Sequence, residues 1–365
     1  MDRRAFMKTS AVLPLSAALP GYAFAQQLDF NPRPGAWRTF EITTRVEVLK
    51  PAGVTRAWVP VPVVNNEGQR VIDNSWSGNA GQAEIVRDGK YGAAMLYAEW
   101  PASEQQPAVG VTSRVTTRDR AIDFAKRGAA AKLDEGDYAF DTAPTELVPT
   151  DGIVRKTALE ITSGARTDEE KARMIYDWIV ENTFRDPKTR GCGVGDIKAM
   201  LESGNLGGKC ADLNALYVGL ARSVGLPARD VYGIRVAKSG FGYRSLGASS
   251  ENITRAQHCR AEVYLQAYGW VPVDPADVRK VVLEEKAQPT TLADPIVPPV
   301  RRKLFGAWEM NWLAYNTAHD VELPNSKGAK LGFLMYPQAE TANGRLDSLD
   351  PDNFRYRITA SEIAA

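Results

Sequence analysis

The hydrophobic pattern of this chain changes its period near residue 150, and that change limits the folds the chain can adopt. Between Trp37 and Val115, apolar and polar residues alternate and β-branched types are frequent, as in WRTFEITTRVEVL at 37–49. From Asp151 onwards, apolar residues recur at three- and four-residue spacing, which is the repeat of an α-helix. Alternation predicts antiparallel strands with one buried face. We therefore expect an α+β fold in which a β-sandwich precedes a region rich in helices.

The first 25 residues have the composition of a targeting segment. Arg3 and Arg4 precede an apolar run at 11–25, and this run ends in small residues up to Ala25. The run is too short to cross a bilayer, and its charged, apolar and small-residue parts occur in the order typical of a signal peptide. The paired arginines indicate the twin-arginine export route. We expect a periplasmic protein that is cleaved near Ala25.

The charge balance gives no reason to expect a nucleic acid or an anionic membrane as a partner. The chain has 45 basic and 44 acidic residues, a formal net charge of +1. Loss of residues 1–25 removes three basic residues and one acidic residue, which leaves a charge of −1. Binding to nucleic acid or to anionic lipid usually depends on an excess of positive charge.

A cysteine at the start of a predicted helix is the first candidate for chemistry. The stretch GGKCADLNALYVGLARSVGLPAR at 207–229 places Cys210 there, with an apolar stripe of leucines behind it. Unpaired backbone N–H groups and the positive end of the helix dipole favour a thiolate at this position. A buried structural cysteine fits the same stretch. The thiol therefore needs a base, and the base needs an orienting group, before catalysis is indicated.

His258 and His319 are the two histidines of the chain, and His258 has a suitable partner. Around His258 the residues alternate, so that His258 and its neighbour Cys259 face opposite sides of a predicted strand. If the apolar rows of this strand and of the returning strand share one core, Asp274 lies on the same face as His258. That geometry requires a connection near 267–269 with an odd number of residues, or a bulge. His319, with Asp320 beside it, is the competing base, but we favour a surface or packing role for it, or a place in the lining of the cleft.

The cysteine count permits a metal site by residue type, but the spacing does not favour one. Cys192, Cys210 and Cys259 together with His258 resemble a zinc ligand set, yet adjacent strand residues point to opposite faces and no C-x-x-C pair is present. We therefore predict no metal and no cofactor. An odd number of cysteines in an oxidising compartment leaves one thiol unpaired. Cys210 is that thiol whether Cys259 is inert or bonded to Cys192.

Together, the Cys210 stretch, His258 and the segment GWVPVDPAD at 269–277 resemble the transglutaminase-like superfamily over about residues 150–280. The resemblance implies a papain-like fold in which the cysteine helix packs on an antiparallel sheet. It implies that Cys210 is the nucleophile, His258 the general base and acid, and Asp274 the group that orients His258. The implied reaction is acyl transfer at peptide or protein amide bonds through a thioester, which water or an amine resolves. Peptides, proteins and peptidoglycan stem peptides are the expected substrates.

The predicted organisation follows from this resemblance. It consists of a signal peptide at 1–25, a β-sandwich domain at 26–145, a transglutaminase-like catalytic core at 146–300 and a C-terminal extension packed on the core at 301–365. Residues 126–150 are interpreted as a linker, and the prolines of TRAWVPVPVV at 55–64 suit an edge strand. Thr167 with Glu170 three residues later predicts a capping box at a helix start.

A non-catalytic module that binds peptides and retains the fold is the alternative function. The aromatic run FGAWEMNWLAYN at 305–316 would supply its binding surface, although core packing is favoured for its tryptophans, Trp308 and Trp312, which would share one face of a helix. The resemblance also implies an aromatic residue soon after His258. This chain has none there, and Tyr264 or Trp270 is expected to replace it.

Overall fold

The structure is a computed structural model that describes residues 28–128, 132–350 and 354–364. The predicted signal peptide at 1–25 lies outside these described residues. Within the three described ranges, no helix combines the length and the apolar character that a membrane crossing requires.

Strands come first along the chain, helices second, and a mixture of both last. The first strands are β1 (Arg38–Val48), β2 (Thr55–Pro60), β3 (Gln69–Gly78), β4 (Gln82–Arg87), β5 (Ala94–Trp100), β6 (Ala108–Thr117) and β7 (Arg120–Ala121). The helical region contains α1 (Glu135–Thr142), α2 (Gly152–Ile161), α3 (Asp168–Asn182), β8 (Phe184–Arg185), α4 (Ile197–Ser203), β9 (Gly207–Gly208) and α5 (Cys210–Ser223). The remainder contains β10 (Ala228–Arg235), a 3-10 turn (Arg244–Leu246), β11 (Gln257–Leu265), β12 (Gly269–Val273), α6 (Pro275–Glu284), α7 (Val297–Lys303), β13 (Ala307–Trp308), β14 (Trp312–Asn316), β15 (His319–Val321), β16 (Leu331–Phe333), β17 (Gln338–Thr341), β18 (Gly344–Arg345) and β19 (Phe354–Ile363).

Two antiparallel sheets enclose an apolar core in the N-terminal part, as the alternating pattern predicts. The strand order is β19-β1-β6-β3 in one sheet and β18-β17-β2-β5-β4 in the other. Val46 and Val111 from the first sheet lie in the same buried cluster as Val59 and Leu96 from the second. Alternate residues of each strand thus face the partner sheet, which is the arrangement of a β-sandwich.

Both sheets of the sandwich depend on strands from the end of the chain. β19 pairs with β1 from Thr39↔Ile363 to Val48↔Phe354, and β17 pairs with β2 from Arg56 to Trp58. β2 is therefore an interior strand, and the edge position that we predicted from its prolines is wrong. Pro60 is compatible with this position because it lies beyond the residues that β17 pairs with. The predicted domain boundaries stay a prediction.

The helical region surrounds a central helix, α5, and a four-stranded antiparallel sheet with the order β12-β11-β10-β14. All 14 residues of α5 are buried, since the helix packs against α2 and α3 as well as against β10 and β11. The capping box at α3 is confirmed, because the Thr167 side chain accepts from the Glu170 N–H and Glu170 accepts in return. The linker interpretation of 126–150 is wrong in part, since Asp134 caps the helix α1.

Charged and polar side chains join the sandwich to the core sheet. Glu262 of β11 is buried between two arginines, Arg120 of β7 and Arg229 of β10, and its Oε2 lies 2.7 Å from the Arg229 guanidinium. Gln69 of β3 donates to the Ala314 carbonyl at 2.9 Å and accepts from the Ala314 N–H at 2.7 Å. The face of β11 that carries His258 and Glu262 is thus covered rather than solvated.

Candidate active site

Cys210 is the first residue of α5, and a glycine-containing loop holds this helix start in place. The Ala211 N–H donates to the Cys192 carbonyl at 2.9 Å, and the Asp212 carboxylate accepts from the Val194 N–H at 2.9 Å. Gly193 has a φ of 97°, and a Cβ there would lie 1.8 Å from Asp212 Oδ2. Only glycine fits this position, so the loop carrying Cys192 lies directly against the start of the Cys210 helix.

His258 and Asp274 lie on the same face of the β11–β12 hairpin, as the strand pattern predicts. Ala261 pairs with Val273, and the connection comprises the three residues 266–268, an odd number. His258 Nε2 lies 2.8 Å from Asp274 Oδ2, and both side chains are buried. Asp274 ends the hairpin and also caps α6, where it accepts from a backbone N–H at 3.1 Å. Its carboxylate is therefore fixed from two sides.

Two further residues support this pair, and the sequence reasoning missed this role for both. Asn214, one turn after Cys210, donates to Asp274 Oδ1 at 3.3 Å and to the backbone carbonyl of Cys259 at 2.8 Å. The signal available in the sequence was a polar residue within the apolar middle of the helix, between Leu213 and Ala215. The Trp312 indole donates to the His258 carbonyl at 3.0 Å. Asn214 thus connects the helix of the thiol to the carboxylate that contacts the histidine.

A second carboxylate, Asp277, also faces His258. Its Oδ2 lies 3.4 Å from His258 Nε2, but Arg235 donates to both Asp277 oxygens at 2.6 and 2.8 Å. Burial opposes ionisation of Asp277, yet Arg235 and His258 outweigh it and hold the pKa well below its usual range. Burial and the charge of Asp277 raise the pKa of Asp274. The sequence shows both aspartates in DPAD, but it does not show which one the histidine contacts.

The environment of His258 favours its protonated form. Burial and the nearby Arg235 charge lower its pKa, but Asp277 and Asp274 outweigh them and raise the pKa of His258 to about 9. Both carboxylates lie close to His258 Nε2, at 2.8 and 3.4 Å, and a nearby opposite charge favours the protonated imidazole. The raised pKa thus favours the imidazolium form of His258 at neutral pH.

The Cys210 sulfur has several stabilising neighbours. Hydrogen bonds from Cys192 and Cys259 lower its pKa, burial opposes this, and the hydrogen bond and charge of His258 lower it further, to well below the ordinary value. The residue is only 4% exposed. The lowered pKa of Cys210 and the raised pKa of His258 together favour a thiolate–imidazolium pair, the form in which a thiol is nucleophilic.

The three cysteines lie together as free, buried thiols. The sulfurs of Cys192, Cys210 and Cys259 all lie within 4.8 Å of one another, and a separate cluster contains His258 with its two carboxylates. The pleat argument correctly places His258 and Cys259 in different clusters. It did not indicate that Cys259 would meet Cys210, because alternation defines a face and not what packs on it.

Other aromatic and histidine predictions have mixed outcomes. Tyr264 and Trp270 contact each other beside the hairpin turn, at a ring distance of 5.5 Å. They lie six or more strand residues from His258, about 20 Å away, so the prediction that they replace the missing aromatic neighbour is wrong. His319 is buried with its Nε2 3.3 Å from Asp230, in agreement with a packing role. Trp312 is the aromatic residue that contacts His258.

The aromatic run at 305–316 is confirmed as core. Trp308 is 2% exposed, Trp312 is fully buried, and their rings meet at 5.6 Å. The two residues belong to strands β13 and β14, however, and not to one helix as the four-residue spacing suggested. Arg260 lies 4.6 Å from the Trp312 ring, so the covered face of β11 contains a buried cation–π contact.

Comparisons with known proteins agree with this geometry. A sequence profile of the transglutaminase-like superfamily matches residues 155–275, which contain Cys210, His258 and Asp274. An uncharacterized protein of Haemophilus influenzae is 36% identical over 343 residues, which cover 89% of this chain and 91% of that protein.

One solved structure shows a similar fold at lower identity. A crystal structure from Cytophaga hutchinsonii, described provisionally as a cysteine protease, is 17% identical, has a TM-score of 0.51, and the match covers 90% of this chain and 99% of that one. The periplasmic domain of TgpA from Pseudomonas aeruginosa matches at 14% identity and a TM-score of 0.38, over 76% of this chain and 78% of that one. The chain belongs to the transglutaminase-like superfamily.

Proposed function

We propose that this chain is a periplasmic thiol enzyme that transfers acyl groups from peptide or protein amide bonds through a Cys210–His258–Asp274 triad. One observation carries the proposal: a buried histidine lies 2.8 Å from Asp274 and beside a cysteine whose pKa is lowered. A histidine oriented by a carboxylate, next to a nucleophile, is the arrangement that acyl transfer uses on many unrelated folds. The signal peptide that we predict at 1–25 supports the periplasmic location.

In the proposed reaction, the Cys210 thiolate attacks the carbonyl carbon of an amide and a tetrahedral intermediate forms. The Cys210 N–H belongs to the first turn of α5, where backbone donors have no partner within the helix, and it is a candidate donor to the oxyanion. His258 then gives its proton to the leaving amine, and a thioester remains. Asp274 holds the imidazole and stabilises its charge throughout.

The thioester is resolved by water or by a second amine, with His258 accepting the proton of the attacking group. Water gives a peptidase or amidase, and an amine gives a transamidase. We favour hydrolysis because water is far more abundant than any amine that could accept the acyl group. Either route restores the starting thiolate and imidazolium, so the same triad serves both.

The alternative, a peptide-binding module without catalysis, has little structural support. The surface that it would use includes Trp308 and Trp312, and both are buried. A binding module also has no need for a thiol with a lowered pKa beside an imidazolium. Such perturbed groups are a mark of functional sites.

The first experiment measures alkylation of the reduced protein by iodoacetamide at pH 6, with intact mass as the readout. We expect one fast adduct in the wild type, no fast adduct in Cys210→Ala, and slow alkylation in His258→Ala. His319→Ala is the matched control, because it also removes a buried histidine that contacts an aspartate, and it should react like the wild type. Equal rates in His258→Ala and in the wild type would contradict the proposal.

A second experiment identifies the outcome of the thioester. The wild type and Cys210→Ala are incubated with a mixture of defined peptides, with and without a primary amine, and products are identified by mass spectrometry. We expect cleavage products that depend on Cys210. Products that contain the added amine would assign transamidation, and no product from any peptide would oppose the catalytic proposal.

A further inference from the structure

Four sulfur atoms come together around the start of α5. The thiols of Cys192, Cys210 and Cys259 lie within 4.8 Å of one another, and the Met335 thioether sulfur lies 3.9 Å from Cys259 Sγ. Three of these residues play no part in the proposed triad. We propose that the three thiols form a binding site for a soft monovalent metal ion, Cu(I), with Met335 as an additional sulfur ligand.

The spacing of the thiols suits such an ion with small adjustments. An ion that binds three sulfurs in one plane at about 2.3 Å spaces them about 4 Å apart, so separations of up to 4.8 Å require each sulfur to move by about half an ångström. Cys192 belongs to a loop, Cys210 to a helix start and Cys259 to a strand. Three independent segments therefore approach one point, and rotation about the side-chain bonds can close the remaining distance.

The chemistry of the ligands favours Cu(I) over Zn²⁺. Thiolate and thioether sulfur are soft ligands, and Cu(I) accepts three of them without a harder ligand. Zn²⁺ is almost always four-coordinate in structural sites and completes its set with cysteine, histidine or a carboxylate. Here the histidine and carboxylates nearby, His258 with Asp274 and Asp277, already contact one another in a separate cluster. A thioether at the fourth position suits copper.

Binding is ligation without electron transfer. Cu(I) forms bonds to the three cysteine sulfurs, each thiol that ionises releases its proton to solvent, and the metal keeps its oxidation state. The Cys210 sulfur cannot then attack an electrophile, so metal binding and alkylation of Cys210 exclude each other. Under the proposed function, the metal-bound form is also inactive, and only this last consequence rests on that function.

The test uses reduced full-length protein under anaerobic conditions, mixed with Cu(I) held by a coloured chelator such as bicinchoninate. We expect the protein to remove one Cu(I) per chain from the chelator. Cys192→Ala and Cys259→Ala should each bind at least about 100-fold more weakly, and Met335→Leu about 10-fold more weakly. Met95→Leu is the matched control, because Met95 is also buried but lies in the sandwich, and it should bind like the wild type.

The readout is independent of enzymatic activity. His258→Ala, which removes the proposed base, should still bind Cu(I), and prior addition of Cu(I) should protect Cys210 of the wild type from iodoacetamide. Circular dichroism checks that each variant is folded, and Cys192→Ser or Cys259→Ser replaces the alanine variant at the same position if that variant does not fold. The proposal is overturned if the wild type leaves Cu(I) with the chelator, or if folded variants of Cys192 and Cys259 bind as tightly as the wild type.

Discussion

Asp274→Asn tests the electrostatic reasoning about the site directly. Asparagine is close to aspartate in shape and is an equally good helix cap, so it retains the interaction at the start of α6 that Asp274 makes at 3.1 Å. The substitution therefore removes a charge beside His258. When the amide oxygen keeps the cap, the amide N–H₂ faces His258 Nε2 in place of an acceptor, which also disfavours the imidazolium. Any change in the reactivity of Cys210 then reports on the imidazolium.

The expected magnitude follows from the charges around His258. The increase of its pKa from 6.5 to about 9 corresponds to about 3 kcal/mol in favour of the imidazolium. After the substitution, the remaining carboxylate of Asp277 is balanced by Arg235 at 2.6 Å. Burial then dominates, and the pKa of His258 falls to its ordinary value or below. A decrease of two pKa units or more corresponds to a loss of the thiolate–imidazolium pair by about 100-fold.

The assay is the rate of Cys210 alkylation between pH 5 and pH 9, followed by intact mass. We expect Asp274→Asn to react about 100-fold more slowly than the wild type at pH 6 and to approach its rate only at alkaline pH. Asp230→Asn is the matched control, since Asp230 is buried in the neighbouring strand and contacts the other histidine, His319. If Asp274→Asn reacts at the wild-type rate at pH 6, Asp274 does not control His258 and the reasoning is wrong.

Three further predictions concern buried groups. Burial raises the pKa of Glu309 from 4.5 to about 7. Its contribution to the free energy of unfolding is therefore complete below pH 4.5, and about 3 kcal/mol is lost as the pH rises through 7. Urea titrations of the wild type should show this loss between pH 4.5 and pH 7, and those of Glu309→Gln should not. The pKa of Glu262 shifts in the opposite direction, because its two arginines outweigh burial and lower the pKa to about 2. Glu262→Gln should therefore lower the free energy of unfolding by about 3–5 kcal/mol at pH 7. This difference from the wild type should shrink as the pH falls from 4.5 towards 2. Cys192→Ala removes the hydrogen bond that contributes most to lowering the pKa of Cys210. Because a thiol is a weak donor, alkylation of Cys210 at pH 6 should slow by only about 10-fold. A larger decrease in rate than in Asp274→Asn would show that the thiols and not His258 control the nucleophile.

The hairpin of His258 illustrates what a local pattern can predict. Side chains alternate along a strand, and an antiparallel partner repeats that alternation about the turn. The requirement for an odd connection, met by residues 266–268, therefore followed from the sequence. The capping box at Thr167 followed in the same way, since both partners lie within one helical turn.

Contacts between distant segments were not predictable from such patterns. Residues after 331 pair with β1 and β2, and a strand that reads as an edge becomes interior because its partner arrives from the other end of the chain. The aromatic residue beside His258 is likewise Trp312, 54 positions away. The conformational preference of a short segment does not depend on a partner that is distant in the sequence, so it cannot predict such a contact.

The sequence by itself determined the two structural periods, the cysteine at a helix start and the shared face of His258 and Asp274, because each depends on neighbouring residues and on fixed backbone repeats. Only the tertiary structure decided that Asp277 is neutralised by Arg235 and that Asn214 contacts Asp274. It also decided that three cysteines from a loop, a helix and a strand meet within 4.8 Å. These features depend on how buried elements pack in three dimensions, and packing determines which charges and sulfurs share a site that water does not screen.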